Sequence, residues 1–145
     1  MKTRYVVLSL VMMLLLALPA HAVGKGELQQ YFKETAQKVK ATDVVAEKRA
    51  ILTGSLNTMS RVLAILQQTP SVSPTDAVGI ERLKANLRDK QNELSGEHGF
   101  VPVPDVRLNA FADYIVQDLE QADQVITISL VTLLVGIIIL ILLLR

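Results

Sequence analysis

The sequence predicts an all-α protein, and three observations support that prediction. Apolar residues recur at intervals of three and four positions in three separate stretches, which is the period of a helix. No stretch of useful length alternates apolar and polar residues as a half-buried strand does. The chain of 145 residues also begins and ends with an apolar block, and its middle is long enough for a small domain.

The N-terminal block, residues 1–22, is organised like a secretory signal peptide. Lys2 and Arg4 give it a positive start, an apolar run follows over residues 5–18, and residues 20–22 form a small-x-small cleavage pattern. That apolar run has 14 residues and spans about 21 Å as a helix, which is shorter than the ~30 Å hydrocarbon core of a bilayer. We therefore predict that the block is removed, with an uncleaved signal anchor as the alternative.

The first predicted helix covers residues 26–69 and ends before Pro70, because a residue that precedes proline avoids the α region. Its apolar stripe follows a heptad-like spacing, with Arg49 as the exception. We predict that the stripe mediates helix packing and assembly. Its members are Val45, Leu52, Leu56, Met59, Leu63 and Leu66. Residues 53–55, Thr-Gly-Ser, are a weak point at which the helix can bend or break.

The second predicted helix covers residues 74–95. Ser73 can cap its start, a proline follows directly, and Gly96 suits its end. Residues 100–104 contain two prolines and form either a stiff connector or a recognition segment. Beyond them, the third predicted helix covers residues 105–124, where apolar residues again recur with the helical period.

Each of these three amphipathic helices has an apolar face to bury. The simplest arrangement is a small helical bundle formed by residues 23–124. The alternative is a long helical hairpin whose stripe is completed by another copy or another protein. No helix breaker lies between Val106 and Arg145, so we predict that the third helix continues unbroken into the C-terminal block.

The C-terminal block, residues 125–144, predicts a transmembrane helix. Its 20 residues carry no charge and 16 of them are Val, Ile or Leu. Insertion into a bilayer therefore gains on the order of 5 to 10 kcal/mol. The positive-inside tendency places Arg145 in the cytoplasm and residues 23–124 outside, the orientation that a signal peptide also requires. A GPI-attachment signal fits less well, because no small-residue triplet and no flexible spacer precede the block.

Composition and charge exclude several kinds of site. The chain has no cysteine, so disulfides, thiolate metal sites and cysteine nucleophiles are excluded. Residues 23–124 carry 12 basic and 14 acidic residues, without the basic excess of a nucleic-acid-binding protein. His98 is isolated in a predicted loop, and carboxylate pairs such as Glu93 and Glu97 are typical of solvated helix faces. We therefore predict no catalytic, cofactor-binding or metal-binding residues, no small-molecule substrate and no enzyme activity.

Two further groups of residues are candidate contact sites. An acidic strip before the C-terminal block can dock a basic partner or the lysines of a neighbouring copy, although a solvated face is the simpler interpretation. Its members are Asp113, Asp118, Glu120 and Asp123. Inside the block, one face carries a small-xxx-small spacing that permits close helix approach within a membrane. Its members are Ser129, Thr132 and Gly136.

Together these observations predict a non-enzymatic helical interaction protein with a single C-terminal membrane span. Its domain would face the periplasm or the cell exterior, and the brevity of the signal peptide favours a bacterial inner membrane. The expected partner is a protein or a second copy of the chain. The alternative function is an accessory or regulatory subunit of a membrane complex, such as a transporter, that acts mainly through its transmembrane helix.

Overall fold

The computed structural model describes residues 25–70, 72–125 and 130–145, and this part of the chain is helical apart from its connections and its C-terminal end. The predicted signal peptide, Ser129 and the Asp123 side chain lie outside the description. The α-helices have the following bounds: α1 Lys25–Ala41, α2 Val45–Gln67, α3 Pro74–Ser95, α4 Leu108–Val125 and α5 Leu130–Leu143. A 3₁₀ turn, Asp105–Arg107, precedes α4. The all-α prediction is confirmed for these residues.

The first predicted helix is two helices, because residues 42–44 interrupt it. Thr42 Oγ1 accepts a hydrogen bond from the Val44 N–H at 3.3 Å and donates one to Glu47 Oε2 at 2.6 Å. A threonine hydroxyl that bonds nearby backbone offers the chain an alternative to the helix. The predicted weak point around Gly54, in contrast, lies within continuous helix.

Helices α1 to α4 run alternately up and down and form a four-helix bundle. α1 and α2 are antiparallel, and Thr35 Oγ1 lies 3.1 Å from Ser55 Oγ between them. α3 returns along α2, where Gln91 Nε2 donates to Asn57 Oδ1 at 2.7 Å. α4 closes the bundle by packing most extensively against α1. The prediction of a small bundle is therefore confirmed, and the alternative of an open hairpin is not what forms.

The hydrophobic core lies between these four helices. Every buried hydrophobic residue of the described chain belongs to α1, α2, α3 or α4, and α2 supplies the largest share. α5 adds only partly buried side chains at the edge of the core, which are Val135, Ile139 and Leu140. In the described chain, α5 therefore supplies none of the buried hydrophobic side chains and packs against the core from outside.

α5 does not prolong α4 in the direction that the sequence predicts. Gly136 lies beside Leu66 near the end of α2. Leu144 lines the same groove as Ser55, which lies in the middle of α2. α5 thus runs back along α2 and opposite to α4, which corrects the predicted unbroken third helix. An isolated straight helix of this composition would expose apolar side chains to water on every face. Docking α5 against α2 removes one of those faces from water.

Within the described residues, no helix combines the length and the apolar character that crossing a bilayer requires.

Candidate functional site

α5 docks on the outside of the bundle through the face that carries its small residues. Thr132 is buried, and its hydroxyl donates a hydrogen bond to Asp76 Oδ2 at 2.6 Å. Gly136 is buried against α2, where a Cβ atom would lie 3.4 Å from Leu66 Cδ2 and 4.0 Å from Val62 Cγ1. The face that was predicted to approach another helix in a membrane therefore approaches a helix of its own bundle. The docked position leaves no room there for a long side chain.

Asp76 is fixed in place by the start of α3. Ser73 Oγ accepts a hydrogen bond from the Asp76 N–H at 3.2 Å, and Pro74 occupies the first helical position. Both features confirm the predicted start of this helix. A carboxylate in the first turn is also favoured by the helix dipole. The Asp76 carboxylate thus lies in the first turn of α3, where it accepts the hydrogen bond from the Thr132 hydroxyl.

The outward face of α5 is apolar and uncovered. α5 contains no charged residue. Among the described side chains at its C-terminal end, Leu142 is 63% exposed, and Leu144, just beyond the helix, is 61% exposed. A contiguous exposed apolar surface is typical of a site that contacts a membrane or another protein.

A groove opens between α1 and α2 beside the end of α5, and its volume is about 350 Å³. Small side chains form much of its wall, among them Ala50, Gly54 and Ser55. Tyr31 and Leu144 add apolar surface at its margins. The lining also includes the charged side chains of Glu34 and Lys38, so the groove is partly polar.

The predicted assembly stripe of α2 is used inside the chain. Five of its members are buried in the core, and they are Leu52, Leu56, Met59, Leu63 and Leu66. Val45 differs, since it is the first residue of α2 and is 38% exposed. The buried members are therefore occupied by contacts within the bundle.

The acidic strip pairs with lysines of the same chain. Asp113 Oδ1 lies 2.7 Å from Lys40 Nζ, and Glu120 Oε1 lies 3.6 Å from Lys33 Nζ. These pairs link α4 to α1, and their side chains are nearly half exposed. Exposed pairs of this kind contribute about 0 to 1 kcal/mol each. The contacts that the sequence suggested between neighbouring copies are thus made within one copy.

Asp118, another member of the acidic strip, belongs to a cluster around the buried Lys90. Lys90 Nζ lies 3.1 Å from Asp118 Oδ2 and 3.5 Å from Glu93 Oε1. It also donates a hydrogen bond to the Tyr114 hydroxyl at 3.0 Å. Burial disfavours the charged ammonium, but the hydrogen bonds to Tyr114 and Asp118 and the two carboxylates outweigh it, so the pKa of Lys90 is raised. Lys90 therefore stays charged and joins α3 to α4.

Arg49, the exception in the apolar stripe of α2, joins three other segments. Its guanidinium donates to Asp105 Oδ1 at 2.8 Å, to the Leu94 carbonyl at 3.3 Å and to the Val103 carbonyl. The proline-containing segment is thereby held against the end of α3. A charged residue at a core-facing position is the sequence signal for such a role. Sequence reasoning missed the partners because they lie more than 40 positions away.

The described residues contain no group of three or more His, Asp or Glu side chains placed to hold a metal ion. His98 is exposed, and its Nδ1 lies 3.2 Å from Asn92 Oδ1. Comparison with family models, with curated proteins and with solved structures finds no match. The docking of the apolar helix α5 on the outside of the bundle is thus the main basis for a functional proposal.

Proposed function

We propose that this chain is a membrane-tethered, non-enzymatic helical module that presents its bundle to a protein partner outside the membrane. The observation that carries the proposal is α5, a helix without charge that exposes an apolar face and supplies only partly buried side chains to the edge of the core. Water disfavours such a surface, whereas the hydrocarbon of a bilayer can cover it on every side.

The length of the apolar segment supports a tether. Residues 125–144 are uncharged, and 20 residues in a helix measure about 30 Å, the thickness of the hydrocarbon core. Arg145 would then lie on the cytoplasmic side, and the bundle would lie on the opposite side. A signal peptide in residues 1–22 agrees with that orientation.

The partner surface that fits this orientation lies at the end of the bundle remote from the tether. Val44 is 52% exposed in the α1–α2 connection, and Val101 is 83% exposed in the α3–α4 connection. Val106, in the 3₁₀ turn, is 91% exposed. Arg49, near the start of α2, bonds to Val103 and Asp105 beyond the end of α3, so the three valines share one end of the molecule, opposite the end of α4 from which the tether departs. An apolar tip of this kind favours a protein partner.

Membrane fractionation tests the tether. The full chain should remain with vesicles after alkaline carbonate extraction, and a chain that stops after Val125 should be released. Release of the full chain as well would refute the tether.

In-membrane crosslinking tests the tip. Val101→Asp and Val106→Asp should abolish capture of the partner, whereas exchange of residues 125–144 for an unrelated apolar helix should preserve it. Loss of the partner on helix exchange alone would instead favour an accessory subunit that acts through its span.

A further inference from the structure

We propose that α5 has two alternative positions, docked on α2 in water and inserted in a lipid bilayer, and that Thr132 and Gly136 form the latch of the docked position. The inference rests on the proposed membrane tether and adds to it an account of how the apolar segment is shielded before it meets lipid. The ligand that releases the latch is the hydrocarbon interior of a membrane.

α5 can leave its docked position without unfolding α1 to α4. The buried hydrophobic core of the described chain lies entirely in α1 to α4. In the described chain, α5 contacts that core through partly buried side chains such as Val135 and Ile139 and through Gly136, which packs on Leu66 and Val62. Its removal therefore uncovers these two core residues of α2 but takes away none of the buried core side chains, which all belong to α1 to α4.

Thr132 and Gly136 hold α5 in the docked position through two different kinds of contact. Thr132 and Gly136 are buried, lie one helical turn apart and face the bundle together. The Thr132 hydroxyl donates to the carboxylate of Asp76, whose backbone N–H is capped by Ser73 at the start of α3. The hydrogen bond of Thr132 and the close backbone approach at Gly136 together fix the position of α5 on the bundle. An apolar helix held by hydrophobic contact alone could slide or rotate.

The two faces of α5 differ in how much of their surface is covered in the docked position. Docking covers the face of Thr132 and Gly136, while Ile141, Leu142 and Leu143 remain exposed. A bilayer covers all of them. After release, the Thr132 hydroxyl can bond to a carbonyl of its own helix, and Asp76 returns to water. Lipid therefore favours the inserted position, and water favours the docked one.

A designed disulfide tests the latch, because the chain contains no cysteine of its own. In the variant Val62→Cys/Gly136→Cys, the new side chains face each other across the α2–α5 contact, where a Cβ at position 136 lies 4.0 Å from Val62 Cγ1. The control pair is Thr35→Cys/Ser55→Cys, which links α1 to α2 where the native hydroxyl oxygens lie 3.1 Å apart and leaves α5 unlinked.

Residues 23–145 are mixed with phosphatidylcholine–phosphatidylglycerol vesicles. The fraction of the protein that resists carbonate extraction is then measured. The oxidised 62–136 variant should lose insertion, and reduction with dithiothreitol should restore it. The control pair should insert equally when oxidised and when reduced. Thr132→Val should insert faster than the parent chain, because it lacks the bond to Asp76.

The possible results separate the latch from the tether. Equal insertion of the oxidised and reduced 62–136 variant would overturn the latch and leave the tether intact. Failure of the 62–136 disulfide to form in water, while the 35–55 disulfide forms, would overturn the docked position. Failure of every form, including the parent chain, to insert would refute the tether and the latch together.

Discussion

Arg49 Nη2 lies 2.8 Å from Asp105 Oδ1, and this contact ties the start of α2 to the turn that begins α4 across 56 positions of sequence. The same guanidinium donates to the Leu94 carbonyl at the end of α3 and to Val103. One side chain therefore holds together the end of the bundle that carries the exposed valines. The planar, forked donor arrangement of arginine suits several acceptors at once.

We expect Arg49→Lys to lower the free energy of unfolding by about 1 to 3 kcal/mol, because a lysine cannot reach all these acceptors and leaves carbonyls without donors. Chemical unfolding followed by circular dichroism measures the change. Arg61→Lys, an exposed substitution on the same helix, is the matched control and should change stability by less than about 0.5 kcal/mol. Equal effects of the two substitutions would contradict the proposed role of Arg49.

The Lys90 cluster should also be important for stability. Lys90→Met keeps the aliphatic length but leaves Asp118 and Glu93 without their common cation, and we expect a loss of about 1 to 3 kcal/mol. Lys38→Met on the exposed face of α1 should have a small effect. A Lys90→Met chain as stable as the parent would show that burial of the ammonium costs as much as its pairs contribute.

The raised pKa of Lys90 predicts where its contribution depends on pH. A group whose pKa is higher in the folded state stabilises the fold fully below the unfolded value, which is about 10.5, and this stabilisation is lost as the pH rises through the folded value. The stability difference between the parent and Lys90→Met should therefore be constant between about pH 7 and 9 and shrink above about pH 10.5. A difference that already shrinks below pH 9 would mean that the pKa is lowered instead.

Two glycines should respond to alanine in opposite directions. Gly96 ends α3 with φ +76°, and a Cβ there would clash with Pro102. Gly96→Ala should therefore cost at least about 1 to 2 kcal/mol for the left-handed backbone alone. Gly54 lies in the exposed interior of α2 with open space around it, and Gly54→Ala should stabilise the chain by about 0.5 to 1 kcal/mol. Thermal unfolding of both variants checks the two signs.

Position 136 should accept only a small side chain in the docked state. Gly136→Ala places its Cβ at ordinary contact distance from Leu66, whereas Gly136→Leu has no space for its branched end. We expect the leucine variant to increase amide hydrogen exchange in α5 while leaving the exchange of α1 to α4 unchanged. Protection of α5 equal to that of the alanine variant would show that docking does not depend on the glycine.

Local sequence was sufficient to predict the helices whose ends are determined by residues at or next to those ends. α3 occupies residues 74–95 as predicted, because Ser73, Pro74 and Gly96 specify its ends through local bonds and backbone preference. The helical period likewise identified most of the core positions of α2. The prediction of a signal peptide remains untested, since residues 1–22 lie outside the described chain.

Other features depend on contacts between residues that are far apart in the sequence. The interruption after α1 allows Phe32 and Val39 to reach the same core as α2, and no periodicity reveals that requirement. The pairing of the acidic strip with the α1 lysines was likewise decided by topology, because α4 happens to lie beside α1.

The apolar composition of residues 125–144 is a local property, and it established that this segment must be covered by something other than water. Which surface covers it is a tertiary property. The docked position of α5 exists only because the fold brings Asp76 of α3 to Thr132 and Leu66 of α2 to Gly136. Neither partner can be recognised from the linear sequence. Periodicity and caps act over one or two turns of helix, whereas this docked position depends on the packing of the whole bundle.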